Sequence, residues 1–250
     1  MSDATTSPLR QDPPALKEVQ VSCSKCNLRE LCMPVRLRED ELDVLDRLIA
    51  SRKRIARGKP LFSNGDRFNA IYAIRSGTFK TRINTADGRD QVTGFHVSGE
   101  IVGLDGMGSE QHACDALALE DSEVCVIPYD RLEELSRECT SLQQHFHRLM
   151  SREIVRDHGV MLLLGSMRAE ERLAAFLLNL VTRMRARGFS GTELVLRMTR
   201  EEIGSYLGLK LETVSRTFSK FAEEGLISVN QRHIRIEQPE KLREMVGTHA

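Results

Sequence analysis

Three cysteines near the N-terminus form a group of side chains suited to holding a metal. Cys23, Cys26 and Cys32 follow the spacing C-x2-C-x5-C. In a reducing compartment, thiolates this close together favour metal ligation over disulfides. The pattern therefore predicts a metal site near the N-terminus, with a fourth ligand supplied from elsewhere in the chain.

The spacing leaves the identity of the metal open. Structural zinc sites usually combine two C-x2-C pairs, or one such pair with histidines. This chain has one pair and no histidine between Cys23 and His96. Iron–sulfur clusters take four thiolates, often three close together and one distant. Spacing alone supports zinc and an iron–sulfur cluster about equally, and the expected cytosolic context disfavours a disulfide.

A fourth thiolate could come from any of three later cysteines. Cys114 stands in a polar stretch, Cys125 between two valines at the end of a strand-like run, and Cys139 just before a predicted helix cap at Thr140 and Gln143. A single cysteine among valines is most often a buried core thiol. Spacing does not choose among the three.

The C-terminal end of the chain has the pattern of a DNA-binding module. Thr199, with Glu202 three positions later, predicts a capped helix that ends near Gly208. A second helix over 210–223 and a β-hairpin around 230–232 complete a winged helix-turn-helix. The residues of the second helix predicted to face inward are Leu211, Val214, Phe218 and Phe221.

The outward face of that second helix carries side chains that can read bases. Arg216 suits a bidentate contact with guanine, and Glu212 can accept from the amino group of cytosine. For these two residues alone, an ion pair on a solvated helix is the alternative. Ser215 can contact thymine or a phosphate. The predicted phosphate anchors are Thr199, Lys220 and Arg232, and the outward set further includes Lys210, Thr213 and Thr217.

A long helix is predicted over 137–165, followed by a hinge at Gly165-Ser166. One face of this helix has apolar residues at coiled-coil spacing, interrupted by an acid; the positions are Met150, Ile154, Asp157, Met161 and Leu164. In a symmetric dimer two copies of Asp157 would repel each other and lose solvation. We therefore expect a weak, switchable dimer, unless Asp157 turns outward and pairs with Arg152 or Arg156 of the partner subunit.

Between about 54 and 128 the sequence is typical of short β-strands. Alternating or β-branched runs cover 71–74, 78–83, 91–97 and 123–127, and Asp87-Gly88 is a hairpin signal. Many short strands with regular turns predict an antiparallel barrel or roll. The predicted fold class is α+β, and its segments are a disordered arm (1–20), a cysteine-rich segment (21–34), a β-roll (35–136), a dimerisation helix (137–165) and a winged helix-turn-helix (166–250).

Composition narrows the class of protein further. The 36 basic and 36 acidic residues balance, which excludes a polybasic binder but permits local basic groups. No apolar run approaches the roughly 20 residues that span a bilayer, and the N-terminus lacks a secretory signal. We therefore expect a cytoplasmic protein with no membrane partner. No nucleophile–base spacing or phosphate loop appears, so an enzyme is not expected and no catalytic residue is assigned.

Several longer stretches resemble one family, the oxygen-sensing fumarate and nitrate reduction regulators (FNR) of the cyclic-AMP receptor protein superfamily. The resemblance covers the chain from about residue 20. Its motifs are Cys23-x2-Cys26-x5-Cys32-Met-Pro, Leu61-Phe62, Tyr72-Ala-Ile-Arg-Ser-Gly77, Gly94-Phe95-His96, Ala169-Glu-Glu-Arg-Leu-Ala-Ala-Phe176, Tyr206-Leu-Gly-Leu and Glu212-Thr-Val-Ser-Arg216.

The resemblance implies a mechanism. It implies a cupin-like β-roll of the cyclic-nucleotide-binding type and a homodimer that binds double-stranded DNA at a palindromic TTGAT/ATCAA-type site without oxygen. Oxygen destroys the cofactor, and the DNA is released. RNA polymerase is the further implied partner, through the Asp87–Arg89 hairpin or the region after Ser76. The residues implied to hold a [4Fe–4S] cluster are Cys23, Cys26, Cys32 and Cys125, and those implied to read bases are Glu212, Ser215 and Arg216.

Two alternatives remain within the same superfamily. A zinc-structured winged-helix regulator would have constant activity and no oxygen response. A cyclic-nucleotide-responsive regulator would need a cation to hold the phosphate, and the chain has no lysine or arginine from 90 to 130. The sequence therefore disfavours the cyclic-nucleotide alternative.

Overall fold

The computed structural model describes residues 48–84 and 90–247. The predicted disordered arm and cysteine-rich segment, and with them Cys23, Cys26 and Cys32, lie outside these residues. So does the Asp87-Gly88 turn. The described chain has the predicted α+β architecture, with an antiparallel β-roll first, then long helices, then a winged helix-turn-helix.

Two four-stranded antiparallel sheets form the roll, in the orders β1-β8-β3-β6 and β2-β7-β4-β5. The predicted alternating runs are confirmed as strands because one side of each packs into the roll. The strands are β1 Ser51–Ile55, β2 Pro60–Phe62, β3 Ala70–Ser76, β4 Thr78–Asn84, β5 Asp90–Val97, β6 Ile101–Val102, β7 Asp115–Ala118 and β8 Ser122–Pro128.

Helices follow the roll and lead into a small second sheet. The helices are α1 Tyr129–Glu138, α2 Thr140–Ser166, α3 Ala169–Arg185, α4 Arg200–Leu207, α5 Leu211–Glu223 and α6 Pro239–Val246. Strands β9 Glu193–Val195, β10 Ile227–Asn230 and β11 His233–Ile236 pair in the order β10-β11-β9. The hairpin was predicted, whereas β9 and α6 were not. No helix of the described segments is long and apolar enough to span a bilayer.

The ends of α2 differ from the prediction. Cys139, rather than Thr140, occupies its N-cap position, so the predicted Thr140–Gln143 capping box is wrong. Gly165 and Ser166 stay helical, and the chain leaves the helix at Met167, with φ −97° and ψ 147°. The break that separates α2 from α3 therefore comes one residue after the predicted hinge.

Apolar packing occurs on both faces of the sheet that contains β8. Val124 packs inside the roll with Ile74 and Phe79. On the opposite, outer face, Cys125 and Ile127 pack with α1, with the start of α2 and with the first described residues of the chain. The strand therefore presents alternate residues to two separate apolar layers, as its pleat requires.

Candidate functional site

A close approach between α4 and α5 forms the helix-turn-helix. The Thr199 hydroxyl accepts from Glu202 N at 3.1 Å, and the Glu202 carboxylate accepts from Thr199 N at 2.7 Å, so the predicted capping box is confirmed. Gly208 ends α4 with φ 63°, a conformation that favours glycine. A Cβ on Gly204 would lie 2.6 Å from Leu209 O, so a larger residue there would push the two helices apart.

One side of α5 packs against the rest of the module. The buried residues are Val214, Thr217, Phe218 and Phe221. The prediction that Leu211 faces inward is wrong, because it stands in the first turn, beyond the apolar core, and is 45% exposed. The prediction that Thr217 faces outward is also wrong, since its hydroxyl donates to Thr213 O at 2.8 Å.

The three residues predicted to read bases share the opposite side of α5. Glu212, Ser215 and Arg216 are all exposed, beside the exposed Leu211. Among the described residues, no ion pair joins Glu212 to Arg216. Because the N-terminal part of a recognition helix meets base edges in the major groove, this face of α5 has the position and the chemistry for direct readout.

The three predicted phosphate anchors lie in different surroundings. Lys220 Nζ is 2.6 Å from Glu170 Oε1 and 3.9 Å from Glu224 Oε1. The Thr199 hydroxyl is engaged in the α4 cap. Arg232 is exposed at the wing turn, next to Gln231 with φ 55°. Arg232 is therefore the one of the three whose side chain reaches toward solvent without a carboxylate partner in the described chain.

A long apolar strip lies exposed on α2. Asp157 lies within this strip, is exposed, and forms no ion pair with another described residue. Of the predicted positions, Met150 is half-buried and the others are exposed. Val155, 65% exposed, extends the strip beyond the predicted seam. The exposed apolar residues of α2 are Ile154, Val155, Met161, Leu162 and Leu164.

Arg172, within a motif of the sequence, links the ends of two helices. Its guanidinium donates to Leu164 O at 2.8 Å and to Met167 O at 2.9 Å, at the end of α2. It also donates to Leu207 O at 2.9 Å, at the end of α4. A cation at carbonyls left open by a helix end is favourable. The sequence motif contained this arginine, but its spacing gave no sign of the contact.

The fourth predicted sulfur ligand lies where the chain enters the described region. Cys125 is 7% exposed on the outer face of β8, and Arg52 stands opposite it in the neighbouring strand β1. Leu48, the first described residue, packs in the same apolar group. The 15 residues 33–47 can span up to roughly 50 Å when extended. The predicted N-terminal ligands can therefore reach Cys125, and its apolar surroundings fit a water-shielded sulfur site.

The other two candidate cysteines differ from each other. Cys114 packs inside the roll, and its thiol donates to Asp105 Oδ2 at 3.5 Å. Burial and the Asp105 charge raise the pKa of Cys114 to about 12, so it stays a protonated thiol. Cys139 packs in the same outer group as Cys125. The fold therefore disfavours Cys114 as a ligand. Cys125 and Cys139 both pack in the outer apolar group, together with Leu48, the first described residue.

Asp105 lies within the 3-10 turn Leu104–Gly106 of the roll. The Asp105 carboxylate accepts from Ala113 N at 2.7 Å and lies 3.4 Å from His112 Nδ1. Burial would raise the pKa of Asp105, but these partners lower it. The Phe62 ring stacks on His112 at 3.7 Å. The Asp105 carboxylate is therefore ionised at neutral pH.

Family profiles match two parts of the chain. The profile of the Crp-like helix-turn-helix domain matches residues 171–245, which contain α4, α5 and the wing. The profile of the cyclic nucleotide-binding domain matches residues 52–139, which contain the roll and α1.

Several curated relatives match over nearly the whole chain. The transcriptional regulatory protein btr of Bordetella pertussis is 52% identical, covering 90% of this chain and 93% of that one. The fumarate and nitrate reduction regulatory protein of Escherichia coli is 46% identical and covers 91% of each chain. Among solved structures, FixK2 from Bradyrhizobium japonicum matches 81% of this chain and 100% of its own, with 27% identity and a TM-score of 0.75.

Proposed function

Because this chain belongs to the CRP/FNR family of transcription regulators, which are not enzymes, we propose that it is an oxygen-responsive member that binds DNA as a homodimer. The observation that carries the proposal is the place of Cys125, buried in an apolar group where the chain arrives from the cysteine-rich segment. The proposed segments are those predicted above, with 137–165 as the dimerisation helix and 166–250 as the DNA-binding unit.

We propose that four thiolates hold a [4Fe–4S] cluster, and that the protein contributes a dry, apolar pocket at one of them. When bound, the cluster would supply the reactivity toward oxygen. The apolar residues around Cys125 exclude water from its sulfur. Leu48 and Ile49 pack on the same face, so a cluster bound to the preceding cysteines would act on this packing through the chain. The proposed ligands are Cys23, Cys26, Cys32 and Cys125.

The exposed strip of α2 is the proposed dimer surface. Burial of apolar side chains such as Ile154 and Met161 stabilises association by about 25 cal/mol for each Å² removed from water. Two Asp157 carboxylates would oppose it, because each loses solvation close to a like charge. The free energy gained by apolar burial and the cost of the two carboxylates would then nearly cancel. A modest contribution from the sulfur site would decide what fraction of the protein is dimeric.

The exposed face of α5 is the proposed reader of a palindromic TTGAT/ATCAA-type site. Arg216 would contact guanine and Glu212 the amino group of cytosine, with Ser215 on thymine or phosphate. Leu211, exposed next to them, is suited to a thymine methyl group. Arg232 would anchor a phosphate from the wing. Lys220 and Thr199 would do the same only after exchanging their present partners.

Contact with RNA polymerase is proposed for the region after Ser76. A cleft of about 840 Å³ lies there, between the β3–β4 turn, the end of α3 and the small sheet. Phe189 lines it and is exposed. The alternative place, the Asp87–Arg89 hairpin, lies outside the described residues.

Anaerobic purification of cysteine variants tests the sulfur site. Wild-type protein is expected to be brown, to contain about four iron and four sulfide per chain, and to bleach in air. Cys125→Ser should lose the colour and the anaerobic DNA binding. Cys114→Ser and Cys139→Ser are the matched controls and should keep both.

A colourless wild-type protein with one zinc would instead support the zinc-structured regulator and overturn the oxygen-responsive function. Retention of the pigment by Cys125→Ser would overturn the ligand assignment. The cyclic-nucleotide alternative is disfavoured by the absence of lysine and arginine from 90 to 130, and calorimetry with cyclic AMP should give no heat of binding.

Gel shifts with base-substituted sites test the readout. Arg216→Ala should lose about 1–3 kcal/mol of discrimination at the contacted guanine. Arg232→Ala is the matched control and should weaken binding equally at all sequences. It should also reduce the slope of log affinity against log salt concentration by about 1, the value for one lost phosphate contact. Equal discrimination by wild type and Arg216→Ala would contradict the assignment.

A further inference from the structure

The Gly94-Phe95-His96 motif lies on β5, the last strand of its sheet, and helix α4 covers the edge of this strand. Val92 N donates to the Ser205 hydroxyl at 2.8 Å. Lys80, on the neighbouring strand, forms an ion pair of 2.8 Å with Glu202 of α4, and both side chains are largely buried. The DNA-binding unit is therefore held on its own roll by the first helix of the helix-turn-helix.

A largely buried acid holds helix α3. Glu100, just after β5, accepts from Arg183 Nε at 2.9 Å and from Arg187 Nη2 at 2.8 Å. Its second oxygen accepts from Arg183 Nη2 at 2.5 Å and from Val97 N at 3.0 Å. Arg183 also donates to Phe95 O at 2.6 Å. We name Glu100, Arg183 and Arg187 the Glu100 joint, which ties α3 to the turn between β5 and β6.

Charge keeps this joint in its paired state. Burial alone would raise the pKa of Glu100, but the two guanidinium groups outweigh it and lower the pKa to about 2. The carboxylate is therefore ionised at physiological pH. Removing its charge would leave two arginines with little access to water, a costly arrangement.

Aromatic packing links the same strand to both helices. The Phe95 ring lies 5.9 Å from Phe176 of α3 and 5.3 Å from Tyr206 of α4, and these two rings lie 5.9 Å apart. Gly94 leaves room for the side chain of His96, since a Cβ there would lie 2.9 Å from His96 Nε2. The motif thus seats α3 and α4 on β5.

The helix proposed for dimerisation meets β5 as well. Arg156 Nη2 of α2 lies 3.5 Å from His96 Nδ1, and His96 Nε2 lies 3.2 Å from the Thr81 hydroxyl. Burial and the charge of Arg156 lower the pKa of His96 to about 3, so the ring is neutral and can accept from Arg156. One strand therefore contacts the dimer helix and the DNA-binding helices.

We propose that Glu100 is a positioning residue for DNA binding, which fixes α3, and with it α4 and α5, at one angle to α2 of the same subunit. The inference rests on the proposed homodimer. A dimer reads two half-sites about 34–36 Å apart only when both recognition helices keep that separation. If the joint were loosened, each recognition helix α5 could still bind one half-site. The dimer would lose the additional affinity that comes from binding both half-sites at once.

The spacing of the half-sites gives a direct test. Anaerobically purified wild type, Glu100→Gln and the exposed control Glu134→Gln are titrated with three duplexes. These carry the full palindrome, the palindrome with two inserted base pairs, and one half-site. Sedimentation velocity records the dimer in each case. Glu100→Asp, which keeps the charge on a shorter side chain, serves as a milder variant that retains the fold.

Glu100→Gln is expected to keep the dimer and its half-site affinity, and to lose roughly ten-fold or more on the full site. Its preference for the natural spacing should shrink, with Glu100→Asp between it and wild type. Unchanged full-site affinity and spacing preference in folded variants would overturn the inference, as would equal losses on all three duplexes. A wild type that stays monomeric would contradict the proposed function, and the inference with it.

Discussion

Two regions of this protein hold an acidic residue on or beside a long helix, and they place it in opposite surroundings. On the exposed strip of α2, Asp157 stands among apolar residues with no cation bound in the described chain. In the Glu100 joint, a carboxylate is largely buried and paired with two arginines. The same chemical group is thus left uncompensated at one place and fully paired at the other.

The difference shows what each region is suited to do. A buried carboxylate with paired arginines fixes the geometry of its neighbours, because breaking the pairs leaves charges without water. An exposed carboxylate does no harm to the single subunit, and it acts only when a second copy approaches. The joint is suited to hold a fixed shape, and Asp157 is suited to oppose the association that the apolar strip favours.

Removing the buried acid should have the largest effect. Glu100→Ala is expected to lower the free energy of unfolding by about 3–5 kcal/mol, because Arg183 and Arg187 lose their partner. Chemical denaturation of the wild type and the variant measures the difference. Glu134→Ala, on the exposed face of α1, is the control and should change it by less than about 0.5 kcal/mol. Equal losses of unfolding free energy in Glu100→Ala and Glu134→Ala would show that pairing with the arginines gives Glu100 no special role in stability.

Acid should act on the joint in a defined range of pH. The pKa of Glu100 is lowered from 4.5 to about 2, so the unfolded chain binds more protons between these values. The stabilisation is present above pH 4.5 and is lost as the pH falls toward 2, for a total on the order of 3 kcal/mol. The pKa of His96 is lowered from 6.5 to about 3, so the unfolded chain binds a further proton in this range. His96 therefore adds a second loss of stability, which starts as the pH falls below 6.5.

The difference between wild type and Glu100→Gln isolates the first contribution. Denaturation at a series of pH values gives the free energy of unfolding of both proteins. The gap between the two free energies should narrow from pH 4.5 downward. His96→Gln should flatten the curve between pH 6.5 and 4.5 and leave the Glu100 range in place. A gap of constant size down to pH 2 would mean that Glu100 is not paired in solution.

Removing the exposed acid should affect association and not folding. Asp157→Ala is expected to tighten the dimer of metal-free protein by about ten- to a hundred-fold, equivalent to roughly 1.4–2.8 kcal/mol, since repulsion and lost solvation disappear. Sedimentation at several concentrations measures it. Asp130→Ala, outside the strip, is the control. An unchanged sedimentation coefficient would show that Asp157 turns away from the partner.

Local patterns predicted much of this fold. The strands of the roll, the Thr199–Glu202 cap, the glycine turn and the wing follow from alternation, capping and turn chemistry, which act over a few residues. The outward positions of Glu212, Ser215 and Arg216 follow from helical periodicity. The same periodicity misplaced Leu211, because it cannot tell where along a helix the packed neighbours end.

The joint could not be predicted in this way. Glu100 is separated from Arg183 by 83 positions and from Arg187 by 87. No local signal distinguishes Arg183 and Arg187 from the other arginines in and just after α3. The side of β8 that Cys125 faces was likewise open, since a cysteine between valines is buried on either face.

The sequence by itself determined the kinds of elements, the exposed face of α5 that we propose to read bases, and the cysteine spacing, because these depend on neighbours in the chain. Only the tertiary structure decided that Cys125 packs on the outer face with Leu48 and Ile49, and that Cys114 packs in the interior of the roll. It alone brought α2, α3 and α4 onto β5 and paired Glu100 with two arginines. Such contacts form between distant residues, and their burial, not the local pattern, sets their energy.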